Sequence, residues 1–120
     1  MDEERDALRE SLISIASETF RFQNVFIKAI SKLDVLEQNK YLGQYGWFSK
    51  KVYKALDRVG LRLVSVAGEF YDPGMAVTPL NLEDFGEDDR LYVEQMMEPI
   101  IMSGTDIVRT GTVILGRIEE

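Results

Sequence analysis

Residues 8–36, LRESLISIASETFRFQNVFIKAISKLDVL, decide how this chain is read. Leu8, Leu12, Ile15, Thr19, Phe22, Phe26, Ala29, Leu33 and Leu36 recur at alternating intervals of four and three. That is the seam of a helix whose apolar row returns every 3.5 residues, sustained over four heptads. A second row, Ile13, Phe20, Ile27 and Ile30, runs beside it and widens the stripe. A two-stranded coil needs no such width, whereas a bundle with more than one neighbour does. The stripe predicts one long amphipathic helix running to about Asn39, with Asp2, Glu3, Glu4 and Asp6 at the positive end of its dipole. Left alone the stripe would stay wet. A second copy of the chain is the expected cover, and the alternative is that the helix folds back on the chain's own second helix.

Working outward, Tyr41–Gly46 contains two glycines and reads as a loop. Trp47, Phe48, Val52, Ala55, Leu56 and Val59 then follow helical spacing, and Gly60 stands where a helix ends. Lys50, Lys51, Lys54 and Arg58 give this short helix a basic, solvated outer face. Beyond Gly60 the period changes. Leu61–Val66 alternates as a half-buried strand does, and Tyr71-Asp72-Pro73-Gly74 is a turn in which Pro73 fixes φ and Gly74 accepts a positive one. Glu83, Asp84, Glu87, Asp88 and Asp89 form an acidic loop whose spacing does not fit an EF-hand. Leu91–Met102 is a strand interrupted by Pro99, Ser103-Gly104-Thr105-Asp106 is a hairpin turn, and Ile107–Ile118 returns as the most β-prone stretch. Gly111 and Gly116 within it mark bulges or close backbone approach.

The expected fold class is α+β: a helical dimerisation region over residues 1–59, then a small, mostly antiparallel β domain over 60–120. Composition narrows function. The 120 residues are 45% hydrophobic and 29% charged, and the net charge of −7 disfavours a phosphate backbone as partner. Without cysteine there are no disulfides or thiolate metal sites, and without histidine the usual general base and zinc ligand are missing. No run of about 18 apolar residues spans a membrane, and Met-Asp-Glu-Glu does not open a signal peptide. The expectation is a cytoplasmic protein with no nucleic-acid or membrane partner, no metal, no cofactor and no enzymatic activity.

With these parts in order, the chain resembles the GrpE family, the nucleotide exchange factors of DnaK-type chaperones. Val52-Tyr-Lys-Ala-Leu-Asp-Arg-Val-Gly60 is similar to the family's last bundle helix and its terminal glycine. Phe70-Tyr-Asp-Pro73 resembles the Asp-Pro that follows the first strand, and Ala76-Val77 fall at the alanine and aliphatic positions after it. Val93–Arg109 resembles the long hairpin, with Ser103-Gly104 at its turn and Arg109 at its arginine, and Gly111–Leu115 occupies the final strand. The family's histidine after Asp-Pro is absent, Pro99-Ile100 replaces a glycine–aromatic pair, and most of the long stalk and leader is missing, which suits a short or divergent member.

The resemblance implies a homodimer with a four-helix bundle and β wings, serving in a stress-response chaperone system. One wing holds the nucleotide cleft of the chaperone's ATPase domain open so that ADP leaves. The dimer interface is expected at Leu8, Leu12, Ile15, Phe22, Phe26, Leu33 and Leu36. Met96 and Leu115 fall where wing residues of the family touch the chaperone, with Met97 and Arg117 as rim contacts. For Met96 and Leu115, sheet core is the competing reading. The alternative function is a dimeric GrpE-like adaptor whose β domain binds a different partner.

Overall fold

Helix α1 (Asp2–Ile30) does not run on to Asn39. A four-residue turn follows, and α2 (Val35–Asp57) comes back along α1 as a helical hairpin. The computed structural model describes residues 2–119 and divides into two units, Met1–Arg62 and Leu63–Glu120.

The turn forms without glycine or proline because side chains satisfy the exposed helix ends. The Ser31 hydroxyl donates to the Lys28 carbonyl at 2.7 Å. Gln38 Nε2 donates to the carbonyls of Ser31 and Leu33, at 3.0 and 2.8 Å. Asp34 caps α2, its Oδ1 accepting the Glu37 N–H at 2.9 Å. The expected first helix therefore stops at Ile30 instead of about Asn39, and the second begins at Val35 and is 23 residues long rather than short. Gly43 and Gly46 also lie inside α2 and not in a loop. Each costs about 1 kcal/mol relative to alanine in a helix interior. Packing offsets that cost: Tyr45 stacks on Phe26 with centroids 6.4 Å apart, and Tyr41 meets the same ring edge-on at 6.5 Å.

The hairpin closes over Ile13 and Ile30 of the second apolar row, with Phe20 half-buried and Ile27 left 38% exposed. Ile13, Ala16, Ser17, Gln23 and Ile30 are the buried residues of α1, and Leu56 is the buried residue of α2. Helix α2 ends at Asp57, and Gly60 turns the chain out at φ +76°, where a side chain would be strained.

Six strands follow: β1 (Leu61–Val64), β2 (Val77–Pro79), β3 (Leu91–Glu98), β4 (Ile100–Ser103), β5 (Asp106–Arg109) and β6 (Gly111–Arg117). They form two three-stranded sheets, ordered β1-β4-β5 and β2-β6-β3. The long stretches Leu91–Met102 and Ile107–Ile118 are thus each cut in two. Buried Pro99 ends β3 and passes the chain to the other sheet, since it has no N–H to continue the ladder. Its neighbour strand changes sheets opposite, at Thr110-Gly111. A Cβ on Gly111 would lie 3.0 Å from the Glu98 carbonyl and 3.2 Å from Ile100 Cγ1, so this corner admits only glycine without a shift. The β4–β5 turn has glycine at its first central position with φ +63°, as a type II′ hairpin requires.

Strand β3 pairs antiparallel with β6, and its register slips at Glu94 and again at Met97. The bulges therefore lie on β3, and Gly116 is instead a place of close approach under Tyr92. Strand β2 runs parallel to β6. Asn81 prolongs that pairing with its side chain: Oδ1 accepts the Leu115 N–H at 2.9 Å and Nδ2 donates to the Leu115 carbonyl at 3.0 Å. On the far side Gly68–Tyr71 covers the edge of β3, with Gly68 N–H donating to the Val93 carbonyl and Tyr71 N–H to that of Leu91. At Asp72–Met75 the Met75 N–H closes onto the Asp72 carbonyl at 2.9 Å, and Asp72 Oδ1 accepts the Gly74 N–H at 3.0 Å. Gly74 does not have positive φ, so the aspartate side chain holds this turn where glycine freedom was expected to.

Candidate interaction surfaces

Because the face of α1 around Ile13, Ala16, Gln23 and Ile30 is the one that is buried, the first row is left largely uncovered. Leu8, Ile15 and Phe22 are 65%, 63% and 63% exposed. Leu12 and Phe26 are half-buried, Phe26 through its contacts with Tyr41 and Tyr45. The other two expected interface residues do not continue this row. Leu33 lies in the turn, and Leu36, 82% exposed, lies in the first turn of α2. The reason is the Asp34 cap, which restarts the helix before the fourth heptad is complete.

The exposed row borders three hollows. At one end Leu8 and Leu12 share a hollow with Val59. In the middle Ile15 and Thr19 line one with Phe22 and Phe48. The third, of about 320 Å³, is lined by Phe22, Phe26, Tyr45, Trp47 and Phe48 together with Gln23 and Gln44. Ser17 and Gln23 are the buried polar side chains of α1, and the glutamine is the poorly satisfied one. It is buried, its Oε1 accepts a long 3.4 Å bond from the Tyr53 hydroxyl, and its Nε2 has no partner among the described residues. Burial raises the Tyr53 pKa above its usual value, opposed by a hydrogen bond with Ser49. At the rim of the third hollow Trp47 is 64% exposed, with the Lys51 ammonium 5.5 Å from its ring centroid.

In the β unit the four expected partner residues separate into two pairs. Met96 and Leu115 are 3% and 1% exposed, within a core that also holds Val93, Ile101 and Val113. Met97 is half-buried at the second bulge of β3. Arg117 is exposed at the end of β6, with its Nε 3.4 Å from Asp89 Oδ2 and its guanidinium 5.9 Å from the Phe85 ring centroid. Asn81 was not singled out from the sequence, and the exposed Phe70 entered only as the first residue of the Asp-Pro motif. Their signal lies in the pairing with β6 and β3, which is long-range.

Among the described residues no three Asp or Glu side chains gather to hold a metal, and no helix is long and apolar enough to cross a membrane. Compared with protein-family models, curated proteins and solved structures, the chain matches none.

Proposed function

We propose that the protein is a non-enzymatic co-chaperone of the GrpE type, a homodimer that promotes ADP release from a DnaK-type ATPase domain. The observation that carries the proposal is the uncovered Leu8–Ile15–Phe22 row on a helical hairpin that precedes a small β unit. Fully burying each such side chain contributes about 1.5–3 kcal/mol. Two hairpins meeting on this face make a four-helix bundle, and each copy then carries its β unit as a wing. Support for the partner is the resemblance in the wing: the Asp72-Pro73 turn, the β3–β6 hairpin through Gly104, and Arg109.

The mechanism is linkage and needs no bond chemistry. A factor that binds the open cleft better than the ADP-closed one weakens ADP binding by the same ratio. A hundredfold preference corresponds to about 2.7 kcal/mol, within the reach of one protein interface. Half-buried Met97 and exposed Arg117 are the candidates for that contact, while Met96 and Leu115 act by shaping the strands that present them. The test is the release rate of a fluorescent ADP from a DnaK-type ATPase domain, with and without the protein. Acceleration supports exchange activity. An unchanged rate with an intact dimer contradicts it and favours an adaptor that binds another partner through its β unit.

A further inference from the structure

The unit Leu63–Glu120 holds twelve Asp and Glu residues against three Arg. Seven of those carboxylates fall between Glu69 and Asp89. The same segment exposes large apolar side chains, with Phe70 74% and Leu82 45% exposed. They stand together. Phe70, Tyr71, Pro73, Leu82 and Ile118 line an open hollow of about 430 Å³, and Glu87, Asp89 and Arg90 are on its rim.

Both walls are fixed by hydrogen bonds. On one side the Gly68–Tyr71 segment is laced to β3, with the Val93 N–H donating to the Glu69 carbonyl at 2.8 Å and the Tyr71 N–H to the Leu91 carbonyl at 2.9 Å. On the other, Asp89 Oδ2 accepts the Gly86 N–H at 2.8 Å and faces Arg117 Nε at 3.4 Å. Asp89 is thereby occupied in holding the loop. Among the described residues Glu83, Asp84, Glu87 and Asp88 are exposed and take part in no ion pair.

We propose that this hollow docks a peptide segment in which a large apolar side chain is flanked by lysines or arginines. The apolar side chain fills the floor between Phe70 and Leu82, and the cations lie against Glu87, Asp88 and the neighbouring Glu83 and Asp84. The surplus of carboxylates repels phosphates, nucleic acid and anionic lipid, and among the described residues no three carboxylates converge to hold a divalent ion. The volume falls in the range of roughly 300–1,000 Å³ typical of ligand-binding clefts, room enough for one large side chain and its neighbours. This docking does not depend on the exchange activity proposed above.

The test titrates the full chain with a fluorophore-labelled octapeptide of alternating lysine and phenylalanine, read by anisotropy. The glutamate–phenylalanine and all-lysine octapeptides serve as controls. The lysine–phenylalanine peptide is expected to bind at least about tenfold more tightly than either control, and to weaken about tenfold from low to high salt as screening takes hold. Phe70→Ser and the double substitution Glu87→Lys/Asp88→Lys are each expected to weaken it about fivefold or more, since each removes one half of the recognition. All three positions are exposed, so retained circular dichroism is expected for both variants. No binding, equal binding of the all-lysine peptide, or binding that both variants leave unchanged overturns the proposal.

Discussion

Replacing Gln23 with methionine is expected to stabilise the protein, although it deletes a hydrogen bond. The glutamine is 3% exposed in the α1–α2 seam. Its Nε2 is a buried donor without an acceptor, a state that costs about 1–3 kcal/mol. What the amide returns is the bond from the Tyr53 hydroxyl to Oε1, which at 3.4 Å lies beyond the usual range. An ordinary bond contributes about 0.5–1.5 kcal/mol net, and this one belongs at the lower end. Tyr53 is 40% exposed, so its hydroxyl can turn to water after the change and no buried orphan is created. Methionine is unbranched, close in length and equally at home in a helix. The balance favours the variant by about 1 kcal/mol. For a urea slope of about 2 kcal/mol/M, the unfolding midpoint followed by far-ultraviolet circular dichroism rises by about 0.5 M. Both proteins must be compared at one concentration, because association adds to apparent stability. A midpoint lowered by a similar amount would refute the reasoning, and would mean that Nε2 finds an acceptor in the assembled protein.

Three other substitutions or titrations probe separate parts of the molecule. Phe22→Asp places a charge on the uncovered row, so light scattering at micromolar concentration should show monomers while helicity is retained; an unchanged dimer would remove Phe22 from the interface. Because burial raises the Tyr53 pKa in the folded chain, the unfolded chain loses that proton first, and stability should hold below pH 10 and decline above it. Tyr53→Phe should flatten the decline in a series of urea midpoints, and an equal decline in that variant would assign it to other groups. Gly116→Ala builds a Cβ 2.8 Å from Tyr92 Cε1 and 2.7 Å from Glu94 Oε2. Glu94 is exposed and can move, but the Tyr92 ring must be displaced, so the β unit should lose about 1–3 kcal/mol in denaturant titration; an unaltered midpoint would mean the ring swings freely.

The α+β class was legible because the apolar period changes from helical to alternating at Gly60. Which row of α1 finds its partner within the chain was not. Both rows repeat at helical spacing, and only the return of α2 assigns Ile13 and Ile30 to the seam and leaves Leu8, Ile15 and Phe22 outside. The return itself was readable in one detail, Asp34 followed three residues later by Glu37, a helix-start pattern that needs no glycine. Glycine misled in the opposite direction at Gly43 and Gly46, where aromatic packing on Phe26 outweighs their weak helix propensity. In the β unit the interruption at Pro99 was visible, but its meaning, a crossing from one sheet to the other, depends on the matching corner at Gly111 twelve residues later. For the expected partner residues, the sequence reading already set Met96 and Leu115, with sheet core as their competing reading, apart from Met97 and Arg117 at the rim. Burial decides for the core at Met96 and Leu115, and it depends on long-range packing that local sequence does not carry.

What covers the Leu8–Ile15–Phe22 row decides whether two wings are held together at all. The most direct measurement is the molar mass of the intact chain by light scattering at micromolar concentration. Pairing through this face predicts twice the 13.7 kDa of one chain. A mass of one chain at that concentration would contradict it, and with it the proposal of a dimeric exchange factor.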